Sequence, residues 1–103
     1  MVRLTALYPN TPGAKFDFDY YASVHMALVK DRLTAFGLNN TEIIKGISTL
    51  SDERAPYVCI GTLDFDDADG LKRGMGQHGE ELVADIANFT DIEPTIQIND
   101  VLS

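Results

Sequence analysis

The stretch Tyr57–Phe65, YVCIGTLDF, constrains the chain most, because it has strand length and is apolar on both of its faces. Tyr57, Cys59, Leu63 and Phe65 alternate against Val58, Ile60 and Thr62. Such a strand needs cover above and below the sheet it joins.

The segments on either side decide what can supply that cover. Residues 2–8, VRLTALY, place Val2, Leu4, Ala6 and Tyr8 on one face and Arg3, Thr5 and Leu7 on the other, which predicts a first strand. Pro9, Asn10, Pro12 and Gly13 then forbid both ladder and helix, so 9–16 reads as a loop. Asp17–Phe36 has the period of a helix. Taken at about 100° per residue, Phe18, Tyr21, Leu28, Val29, Arg32 and Phe36 lie within roughly 60° of His25, so this histidine sits inside an apolar stripe. Asp17 or Asp19 caps the helix, Lys30 and Arg32 suit its C-terminal dipole, and Gly37 supplies a left-handed stop.

TEIIKGISTL, residues 41–50, is rich in β-branched residues and predicts a second strand, with SDERAP as a hairpin-type loop before Tyr57–Phe65. Asp66 is the expected N-cap of a second helix running through Leu71, Met75, His78 and Leu82. Gly74, Gly76 and Gly79 each cost a helix about 1 kcal/mol relative to alanine, which predicts a bend or break near GMGQHG. Helical character resumes over 80–87, NFTDIEP is a polar connector, and TIQINDVL closes the chain as an alternating strand.

The order β-α-β-β-α-β predicts an α+β fold, a four-stranded antiparallel sheet with both helices on one face. At 103 residues the chain reads as a single domain, 1–103. The other sheet face is left bare, and the second apolar row of Tyr57–Phe65 would make it an exposed patch. A homodimer through that face is the simplest remedy. Sixteen acidic and eight basic side chains give a net charge of −8 with no Lys/Arg cluster, which argues against nucleic acid and anionic membranes as partners. No apolar run approaches spanning length, and MVRLTALYPN lacks the apolar block of a signal peptide, so a cytoplasmic protein is expected. The single cysteine, Cys59, cannot form an internal disulfide and reads as a small buried hydrophobe.

Several fragments are distinctive in combination: LYPN, DFDYY followed by HMALV, PYV, and the tail HGEELVADIANFTDIEPTIQI from His78 to Ile98. Together they resemble the EthD family, named for a component of ethyl tert-butyl ether degradation systems. The resemblance runs through nearly the whole chain. It implies a ferredoxin-like protomer, a dimeric α+β barrel formed by two sheets across a two-fold axis, and a pocket between helices and sheet. Barrels of this kind host cofactor-free monooxygenases, lactone isomerases, polyketide cyclases and haem enzymes, so the fold does not choose the chemistry. The sequence departs from the family pattern where Ala27, Gln77 and Ala87 replace prolines. Loss of proline at Ala27 should straighten the first helix just after His25.

The functional expectation is that His25 and His78 line one pocket as proton-handling catalytic candidates. Tyr21 and Tyr8 would be hydroxyl donors, and Phe18, Leu28, Met75, Leu82 and Phe89 the walls for a small hydrophobic ligand. The chemistry would be that of an isomerase, a cyclase or a monooxygenase, without a cofactor. The alternatives are a non-catalytic ligand-binding or accessory module for a partner oxygenase, and two structural histidines satisfied in the core. Glu81 or Asp85 could join His78 on one helix face, but without a second histidine nearby this reads as a solvated acidic edge and no metal is expected. Arg32 reads as a snorkelling side chain or as an anchor for a substrate carboxylate at the pocket mouth. No phosphate-binding glycine fingerprint, G-x-S-x-G or H-E-x-x-H is present.

Overall fold

The computed structural model describes residues 1–103. Strand β1 (Val2–Pro9) is followed by helix α1 (residues 18–36), β2 (Leu38–Lys45), β3 (Tyr57–Phe65), helix α2 (Ala68–Asp85) with a short 3-10 turn at Ile86–Asn88, and β4 (Thr95–Asp100). The sheet order is β2-β3-β1-β4 and every pairing is antiparallel. The β-α-β-β-α-β reading therefore holds. The second strand begins earlier than expected and ends at Lys45, because Leu38 already pairs with Phe65.

Register fixes what each sheet face carries. Under the helices, Leu4 pairs with Leu63 and Ile98, Ala6 with Gly61 and Ile96, and Tyr8 with Cys59. On the bare face, Ile60 is flanked by Leu7 and Ile44, Thr62 by Thr5 and Glu42, and Asp64 by Arg3 and Asn40. That face is thus apolar at one end and polar at the other. Arg3 donates to Asp64 at 2.6 Å, and this hydrogen bond, working against burial, holds the Asp64 carboxyl below its ordinary range. Thr62 Oγ1 is the one buried side-chain polar atom without a hydrogen-bond partner.

Helix α1 is not uniformly α-helical. It runs as Phe18–Tyr20, then a π-helical turn over Tyr21–His25, then Met26–Leu33, and tightens into a 3-10 turn at Thr34–Phe36 before Gly37 at φ 94°. In the π turn the Met26 N–H donates to the Tyr21 carbonyl, one residue further back than in an α-helix. That surplus residue rotates everything downstream by about 100°. The inward set is consequently Tyr21, His25, Met26, Val29 and Leu33, while Leu28 and Arg32, expected on the same stripe, are only half-buried. The segment after His25 is regular helix, as expected from Ala27, and the irregularity lies just before it.

Helix α2 is continuous, so it does not break at GMGQHG. Its N-cap is Asp67, whose Oδ1 accepts from the Gly70 N–H at 2.7 Å; the expected cap, Asp66, instead accepts from Asn39. The glycines serve close approach: a Cβ on Gly70 would lie 2.2 Å from the Phe36 carbonyl oxygen, and one on Gly74 would lie 3.0 Å from Leu33 Cδ2. The α1–α2 contact is built at this end. At the other end, Asp17 caps α1 and its own N–H donates to the Phe89 carbonyl at 2.8 Å, tying the start of α1 to the chain leaving α2. No helix is long and apolar enough to cross a membrane.

Candidate functional site

The tie between Asp17 and Phe89 places Tyr20, Tyr21 and His25 of α1 beside the last residues of α2. His25 Nδ1 lies 2.8 Å from Asp85 Oδ2, while Asp85 Oδ1 accepts from Tyr20 Oη at 2.7 Å and from Asn88 Nδ2 at 2.9 Å. Burial by itself would raise the Asp85 carboxyl. The hydrogen bonds from Asn88, His25 and Tyr20 outweigh it and hold the group below the ordinary aspartate range, so it is a carboxylate at neutral pH. A carboxylate only accepts, so His25 Nδ1 must carry a proton. The lone pair of a neutral His25 is then on Nε2, which has no hydrogen-bond partner within the protein.

His25, 7% exposed as a residue, lines a pocket between the helices and the sheet. The pocket is a half-open cleft with a cavity volume of about 50 Å³. Tyr8, Tyr21, Met26, Gly61, Leu63 and Met75 are among its walls, and the half-exposed Val83 and Ile96 stand at the rim where α2 faces edge strand β4. Burial raises both the Tyr8 and the Tyr21 phenol well above the usual tyrosine value. They remain neutral and can donate hydrogen bonds. The Tyr21 hydroxyl reaches the sheet only because residue 61 is glycine: a Cβ there would lie 1.8 Å from Tyr21 Oη. Cys59, fully buried beside Tyr8 on the same sheet face, has its thiol pushed up to about 12 by burial and is inert at neutral pH.

Of the expected site residues, the pocket brings together His25, Tyr21, Tyr8, Met75 and Leu82. His78 does not share it. Its ring lies 5.8 Å from that of Phe36, further towards the start of α2 than the pocket-lining Leu82. Phe89 stands behind His25, ring centroids 4.9 Å apart, and Phe18 and Leu28 pack on the core from outside the cavity. Arg32 is committed to Glu81 at 2.8 Å and also to Asp31, which removes it as a free anchor at the mouth. With Glu81 held by Arg32 and Asp85 by three donors, no group of metal-ligating side chains forms around His78. Sequence reasoning missed Tyr20 and Asn88 and considered Asp85 only beside His78.

The β-α-β-β-α-β order, with a four-stranded antiparallel sheet, places the chain among ferredoxin-like α+β proteins. The EthD domain profile matches residues 13–93, and the chain belongs to the EthD family. An EthD-like protein from Ralstonia eutropha shares 35% identity, with 99% of this chain and 92% of that one aligned at a TM-score of 0.91. An ethyl tert-butyl ether degradation family protein from Bacillus halodurans shares 20% over 99% of both chains at 0.70. An antibiotic biosynthesis monooxygenase structure from Bordetella bronchiseptica, at 12% identity over 99% and 97% and a TM-score of 0.61, shares the fold alone. A comparison with proteins of curated function finds no match.

Proposed function

We propose that the chain is a cofactor-independent enzyme that moves a proton on a small apolar molecule, with His25 as its base. The observation that supports this is the 2.8 Å bond from His25 Nδ1 to a carboxylate, on a ring that lines an apolar pocket. His25 Nε2 takes a proton from a C–H or O–H of the ligand, and the electron pair left behind moves onto a conjugated oxygen. The Tyr8 and Tyr21 hydroxyls are the donors available to that oxygen. The imidazolium stays paired with Asp85 until the proton returns at another atom or leaves for solvent.

Deuterium uptake at the α-carbon of phenylacetone tests the reading without knowledge of the natural substrate. The wild type is expected to exceed an equal concentration of free imidazole by about 10² or more, and His25→Phe to fall to that background with its circular dichroism unchanged. Wild-type exchange at the background rate would leave a binding or accessory module. Loss of the folded spectrum in His25→Phe together with background exchange in the wild type would make His25 structural.

We further propose a homodimer through the bare sheet face. The row Leu7, Ile60 and Ile44 and the unpartnered Thr62 hydroxyl support it, since both gain from a second copy. Sedimentation at micromolar concentration should give twice the 11.3 kDa chain mass; a stable species at 11.3 kDa would overturn it.

A further inference from the structure

The charges around the pocket limit what it can hold. None of the eight Lys and Arg side chains lines it. Arg3 is paired with Asp64 on the opposite face of the sheet, Arg32 with Glu81 and Asp31, and Arg73 with Asp69. No Asp or Glu lines it either: Asp85, the nearest behind His25, already accepts three hydrogen bonds. Twelve of the fourteen lining residues are hydrophobic. An anion entering this space would give up its hydration with no Lys or Arg to pair with, inside a chain of net charge −8, and a cation would find no free carboxylate.

The polar groups that remain are few and differ in kind. A neutral His25 offers only an acceptor at Nε2, whereas the Tyr8 and Tyr21 phenols, beside each other on the same walls with ring centroids 5.9 Å apart, are the pocket's only hydroxyls and so its side-chain donors. We infer that the ligand of this pocket is uncharged and offers one proton donor, for His25, beside one oxygen acceptor, for the tyrosines. Enolisable ketones and phenols with a neighbouring carbonyl meet that description, whereas carboxylates, phosphates and amines do not. The pairing of donor with His25 rests on the proton-handling reading above; the exclusion of charge does not.

Binding separates the two. Chemical shifts of the Met26 and Met75 methyl groups, both in the pocket wall, are to be titrated with 4-methylphenol, 4-methylbenzoate and 4-methylbenzylammonium at neutral pH. The phenol is expected to bind at least ~tenfold more tightly than either ion. Equal or tighter binding of an ion overturns the inference, as does the failure of all three to shift these methyls at millimolar concentration. Replacing 4-methylphenol with 4-methylanisole removes the donor; a several-fold loss in the wild type that vanishes in His25→Phe supports the pairing, and a loss that persists there overturns it. These outcomes do not depend on turnover, so absent deuterium exchange with the phenol still preferred would sink the catalytic reading alone.

Discussion

Asp85→Asn is expected to slow proton exchange by about a hundredfold or more while both helices stay in place. The argument is one of counting donors. The native carboxylate has two oxygens for three donors, and Tyr20 and Asn88 share Oδ1 while His25 has Oδ2 to itself. An asparagine has one oxygen. With Tyr20 and Asn88 still beside it, that oxygen stays where Oδ1 was, and the amide NH₂ turns to His25. Nδ1 must then accept, the proton moves to Nε2, and the ring presents a donor to the pocket where it presented a lone pair. Nitrogen-15 shifts of His25 should change from the Nδ1–H to the Nε2–H tautomer in step with the loss of exchange. Exchange that survives the tautomer change would show that His25 is not the base. Tyr20→Phe removes only one of the three donors and should give a smaller loss with the wild-type tautomer kept.

The same network shows where the sequence was legible and where it was not. Alternation in β1 and β3, Asp17 as a cap and Gly37 as a left-handed stop fixed the order of elements, because each is a local property of a few neighbouring residues. The inward aim of His25 was also local. Its true neighbours were not: Asp85 lies 60 positions away and meets His25 because Asp17 is hydrogen-bonded to Phe89. A helical wheel gives a direction and no partner. The wheel itself slipped after residue 25, since no Pro or Gly between Tyr21 and Met26 announces the π turn that swings Met26 and Leu33 inward in place of Leu28 and Arg32. On α2 a local rule was applied too strictly. Glycine is costly in a helix, yet at Gly70 and Gly74 that cost is offset by how closely α1 can approach.

That offset predicts opposite signs for one chemical change at two positions of α2. Gly70→Ala adds a methyl group 2.2 Å from the Phe36 carbonyl oxygen, and both groups belong to backbone, so no rotamer relieves the clash and one helix must move off the other. Alanine's helix preference returns about 1 kcal/mol, but overpacking between two main chains costs more, and a net loss of about 2 kcal/mol is expected, near 10 °C in melting temperature for a domain of this size. Gly76→Ala places its methyl in open space on the exposed side of the same helix. Only the propensity gain remains there, so the variant should melt about 4–8 °C higher. Gly74→Ala should fall between them, since a methyl there meets the movable tip of Leu33 at 3.0 Å and the more rigid Cβ and Cγ of Phe36 at 3.1 Å, but no backbone atom as close as at Gly70. Thermal melts of the three variants test the ordering. Equal shifts at Gly70 and Gly76 would mean that the end of α1 at Phe36 does not press on α2 as described.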